Sequence, residues 1–128
     1  MHQPMPDTTR PQPLQVLLVC PRGEYLDSVR DLTRHMARDT TLHWTADPTD
    51  ALRRVQHAQP ALAIVDARLD RASGSALTRA LQQRFDELDV MRFEERCASV
   101  EPGDPGVWHW SELRRAIAWW AQRKRPRQ

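Results

Sequence analysis

Several apolar runs in this sequence end on residues with chemical potential. Residues 14–20 (LQVLLVC) lead into Cys20, Pro21 and Arg22. Residues 61–65 (ALAIV) end at Asp66, residues 88–93 (LDVMRF) lead into Glu94 and Glu95, and a last short run carries His109. A carboxylate such as Asp66 can act as a nucleophile, but charge that develops in the reaction must then be neutralised. A magnesium ion would do this, and it takes oxygen ligands, usually carboxylates and waters. Cys20, Pro21 and Arg22 supply no carboxylate, and Arg22 adds positive charge where a cation would sit. Glu24, the nearest acid, belongs to the following helix. Two other roles for Asp66 are a side-chain cap on the next turn and an ion pair with Arg22. Cys20 and Cys97 form no CxxC, and the five histidines form no pair with metal-ligand spacing. No metal, no cofactor and no catalysis are expected, since there is also no nucleophile–base pair or glycine-rich phosphate loop.

The elements that must position these residues follow from hydropathy. Residues 14–20, 42–46, 61–65, 88–93 and 107–110 read as strands, the first and third apolar enough to be buried on both faces. Between them lie amphipathic helices. Leu26, Val29, Leu32 and Met36 make a stripe over residues 24–38. Asp47-Pro48 opens a second helix, an Asp cap before a first-position proline, and Pro60 closes it. A loop is expected over 70–73 and a helix over 74–84. Ser111 is expected to cap a last helix through residue 123, with Leu113, Ala116, Ile117 and Trp120 inward. Strands alternating with helices predict an α/β fold: a five-stranded parallel sheet, doubly wound, with any site at the carboxyl ends of the strands.

Residues 42–82 read LHWTADPTDALRRVQHAQPALAIVDARLDRASGSALTRALQ. This stretch resembles the receiver domain of two-component response regulators, of the chemotaxis-receiver kind. The resemblance places Asp66 at the family's phosphoacceptor position, Arg68-Leu69 at its usual continuation, and Gly74 at the glycine before the third helix. It extends over about residues 14–123 and is poorest in the last third. It also implies an acidic pair after the first strand, a hydroxyl after the fourth and a lysine after the fifth. Cys20-Pro21-Arg22, Glu94 or Glu95, and His109 stand there instead, so the resemblance is to an atypical, degenerate receiver.

Residues 94–106 (EERCASVEPGDPG) carry two prolines and two glycines in their second half, which leaves at most about two helical turns before them. The family's fourth helix is therefore expected to be reduced or absent. Trp108 and Trp110 alternate onto one strand face and are expected to fill that gap or to meet a partner. Trp119 lies off the inward stripe of the last helix. With Arg115 and Arg123 it is expected to form a partner or dimer surface.

At 128 residues the chain is one domain in size, and its 40% hydrophobic and 28% charged content is that of a globular protein. Residues 1–12 are expected to be a disordered leader, 13–123 the receiver-like domain and 124–128 a basic tail. No run approaches the roughly 20 apolar residues of a membrane span, so no membrane partner and a cytoplasmic location are expected. The formal net charge of +2 sits in the tail and last turn, with Arg123, Lys124, Arg125 and Arg127. Taken together, the residues point to a non-enzymatic signalling adaptor acting through a protein partner or as a homodimer. A receiver phosphorylated on Asp66, and a nucleic-acid-associated regulator using the basic tail, are the weaker alternatives.

Overall fold

The computed structural model describes residues 13–36, 39–72, 76–94 and 107–123. Five parallel strands form one sheet: β1 (Leu14–Val19), β2 (Thr40–Thr45), β3 (Leu62–Asp66), β4 (Asp89–Glu94) and β5 (Val107–His109). Their order is β2-β1-β3-β4-β5. The helices are α1 (Glu24–Arg34), α2 (Pro48–Ala58), α3 (Ala67–Ala72), α4 (Ala76–Arg84) and α5 (Leu113–Arg123), with a 3-10 turn at Trp110–Glu112 before α5. This is the doubly wound, flavodoxin-like arrangement expected, and its strand order is the receiver-like one.

Side-chain alternation in the central strands assigns the two faces. Leu14, Val16 and Leu18 of β1, with Leu62 and Ile64 of β3, pack with Leu26 and Val29 of α1 and with Leu113, Ala116, Ile117 and Trp120 of α5. Leu17 and Val19, with Ala63 and Val65, meet Ala51 and Val55 of α2 and Leu77 and Leu81 of α4. Both faces of β1 and β3 are dry, which is why these strands read as unbroken apolar runs.

Local signals set most boundaries. Asp47 accepts a hydrogen bond from Thr49 N at 3.0 Å and Pro48 is the first residue of α2, as the sequence predicts. Gln59 then ends α2 in the left-handed region, φ 48°, just before Pro60. Other boundaries differ. The loop expected over 70–73 is in part helix, since α3 runs to Ala72. Alanine, arginine and leucine are strong helix formers, and Asp66 starts the turn. The cap before α5 is His109 rather than Ser111. Its Nδ1 accepts from Ser111 N at 3.1 Å, and Glu112 returns a bond to His109 N at 3.2 Å, a capping box.

The tryptophans are also corrected. β5 stops at His109, so Trp110 is not a strand residue and does not serve as surface. Its ring is buried between Tyr25 (centroids 4.4 Å, planes 8° apart) and Phe93 (4.9 Å, 24°). Nor do Trp108 and Trp110 fill the place of a helix between β4 and β5. Right-handed crossovers put such a helix on the α2/α4 side, because the chain is still moving outward from β3 to β5. Both tryptophans join the α1/α5 core. The expectation of a reduced or absent fourth helix concerns residues outside those described, as do the expectations of a leader and a basic tail, and Glu95 and Cys97.

Trp110→Ala removes a buried, doubly stacked ring. It should lower unfolding free energy by about 3–5 kcal/mol, read from the urea midpoint. A midpoint unchanged from the parent would mean the stack contributes nothing.

Candidate functional site

The carboxyl ends of β1 and β3 lie side by side, with Val19 registered to Val65. The next residues, Cys20 and Asp66, are both fully buried. Cys20 is fixed by its main chain: its N–H donates to Thr45 O at 3.2 Å, and the Trp44 indole donates to its carbonyl at 2.9 Å. Burial pushes the Cys20 thiol up to about 11, a hydrogen bond from Trp44 pulls the other way, and the Asp66 charge raises it again. An inert thiol is the consequence.

Asp66 is 0% exposed yet has its own partners. Its Oδ1 accepts from Arg68 N at 2.8 Å, and its Oδ2 meets Arg68 Nη2 at 3.4 Å. The first contact is the side-chain cap that opens α3. The second is an ion pair with a half-exposed guanidinium. The pairing suggested for Arg22 is thus made by Arg68. Arg22 is exposed and lies over the Trp44 ring, 5.7 Å from its centroid, while Pro21 beside it is also exposed.

On the next pair of strands, Asp66 is registered to Phe93 and Glu94 to His109. Glu94 is buried, and the half-buried His109 holds Ser111 through Nδ1. The register therefore sets Cys20, Asp66, Glu94 and His109 along the carboxyl edge of the sheet, with the Arg22 side chain exposed. Among the described residues no group of three His, Cys, Asp or Glu side chains could hold a metal ion. Arg68 and Trp44 are the site residues whose roles sequence reasoning missed. Arg68 was in view within the Asp66–Leu69 stretch, but its two-residue offset from the carboxylate matters only once the chain turns into α3.

A second set of expected residues lies on α5 and β5. Trp119 is 45% exposed, the exposed large hydrophobic among the described residues. Trp108 packs against it (5.9 Å, 51°), and the Arg123 guanidinium covers its ring at 4.8 Å. Arg115 is exposed, 4.0 Å from Glu112. Beside Trp119 a cleft of about 430 Å³ runs along Leu88, Val90, Met91 and Trp120. Another cleft, about 570 Å³, lies between Gln59–Ala61 and Phe85–Leu88 at the amino end of β3, far from the Asp66 edge.

The chain matches no protein-family model, and a search of curated proteins finds no match either. No helix among the described residues is long and apolar enough to cross a membrane.

Two outcomes follow. Asp66→Asn should lower stability by about 1–3 kcal/mol through loss of a charged acceptor; an unaltered melting curve would contradict the capping role. Iodoacetamide at pH 8 should leave Cys20 unmodified in the native protein and alkylate it in urea, as read by peptide mass. Because the thiol is raised in the fold, its contribution to stability is full below the ordinary thiol range near 8.5 and is lost as pH rises from there towards 11. Rapid native labelling of Cys20 would overturn the inert assignment.

Proposed function

We propose that this chain is an atypical receiver-like module, a non-enzymatic adaptor in intracellular signalling, that works by binding a protein partner or a second copy of itself without magnesium-dependent phosphorylation. One observation carries the reading: the Asp66 carboxylate is enclosed and both its oxygens are engaged by Arg68. In-line attack on phosphorus needs an accessible oxygen and a neutralising cation nearby. At this edge the access is closed, and the residues after β1 are Cys20, Pro21 and Arg22 rather than acids.

The α5/β5 face supports the binding half of the reading. It combines a half-exposed indole, a second tryptophan beneath it and flanking arginines, residue types favoured at interfaces. With the phosphorylation site closed, binding at that face is ungated.

Acetyl phosphate with magnesium should leave the mass of the intact protein unchanged, and beryllofluoride should leave the amide spectrum near Asp66 unshifted. An added phosphoryl group mapped to Asp66 would overturn the ungated reading and restore the phosphorylated-receiver alternative.

A further inference from the structure

We infer that the exposed face of α5 is a docking site for an acidic segment of a different protein, one that inserts an apolar side chain beside Trp119 and sets carboxylates against Arg115 and Arg123. The inference rests on the binding-module reading and adds the chemistry of the partner.

The outward residues of α5 are Arg114, Arg115, Ala118, Trp119, Gln122 and Arg123. Arg115, Trp119 and Arg123 are four residues apart, so they form one stripe with the indole in the middle. The only acid in residues 110–123 is Glu112, which faces Arg115 and caps His109 N. No acid among the described residues pairs with Arg114 or Arg123. The contrast with α2 is informative: there Arg53 and Arg54 both bond to Asp50, so each arginine of that helix has a carboxylate partner. The α5 helix carries three arginines and no acid of its own, and Arg115 and Arg123 flank the exposed indole one turn to either side.

The cleft beside Trp119 accounts for the apolar part. Leu88, Val90, Met91 and Trp120 line it with Trp119, beside the polar Gln82, Asp89 and Arg123, and the Asp89 carboxylate is held by the Trp120 indole. An apolar side chain seated there would meet Leu88, Val90 and Met91.

Charge decides among occupants. A symmetric dimer through this face would set each patch against its own copy, bringing two sets of arginines together at a repulsive cost. A nucleobase would need a free indole face, but Arg123 already covers one and Trp108 leans on the ring. An acidic protein segment satisfies the arginines in place and leaves that stacking intact.

The test is selection of random dodecapeptides displayed on phage against the full chain, with binding of the enriched peptides followed by Trp fluorescence. Enriched sequences should be rich in Asp and Glu around one aliphatic or aromatic residue. Their affinity should fall with salt, by about tenfold for each of Arg115→Glu and Arg123→Glu, and also for Trp119→Ala. These side chains are exposed, so thermal melts of the variants should match the parent, which separates lost binding from lost fold. Enrichment without acidic bias, no enrichment, or equal binding by the charge-reversed variants would overturn the inference. So would a dimer in sedimentation that Trp119→Ala dissociates, or oligothymidylate binding that the same substitutions abolish. Phosphorylation of Asp66 would defeat the ungated reading while leaving this face as described; failed selection would do the reverse.

Discussion

A carboxylate withdrawn from water must find hydrogen bonds inside the protein, and the carboxyl edge of this sheet is organised around that requirement at Asp66. β3 carries Asp66 into the interior because the four residues before it are all apolar and buried. A charge in that position is tolerable only with partners. Arg68 N and the Arg68 guanidinium provide them, and reaching them requires the chain to turn at once into α3. One desolvated carboxylate thereby fixes the exit from β3, the start of α3 and the environment of Cys20 next door. The same arrangement leaves both Asp66 oxygens hydrogen-bonded and away from solvent.

The other fixed point of that edge is aromatic. Trp110 sits between Tyr25 at the start of α1 and Phe93 at the end of β4, tying the turn after β5 back to elements far away in sequence. The stack determines where α5 begins, and with the His109 capping box it sets the rotation of that helix. Trp120 locks the other end: its indole donates to Asp89 Oδ2 at 2.7 Å. Once Leu113, Ala116, Ile117 and Trp120 face inward, helical geometry puts Arg115, Trp119 and Arg123 outward. Core packing and the basic, tryptophan-bearing face are thus two sides of one constraint.

The outer part of the sheet is treated differently on its two faces. Met91 and Phe93 enter the α1/α5 core, so Arg92 and Glu94 point to the α2/α4 side, as His109 does opposite Trp108. Glu94 is buried there, while Arg92 and His109 are half-buried.

Much of this was legible in the sequence because it depends on local periodicity. The apolar runs, the helical stripes, the Asp47-Pro48 start and the inward residues of α5 are set by neighbours within a turn or a pleat, as is the position of Asp66 at the end of β3. Tertiary structure alone decided which partner each special residue takes. On paper Arg22 is the expected partner for Asp66; the turn into α3 brings Arg68 to it instead, while Trp44, from a neighbouring strand, holds Arg22. Trp108 and Trp110 look equivalent by alternation and do face the same core, but only Trp110 is buried, stacked between Tyr25 and Phe93, while Trp108 is half-buried beneath Trp119. Short-range pattern states what a residue can do, whereas the packing of distant elements selects what it does.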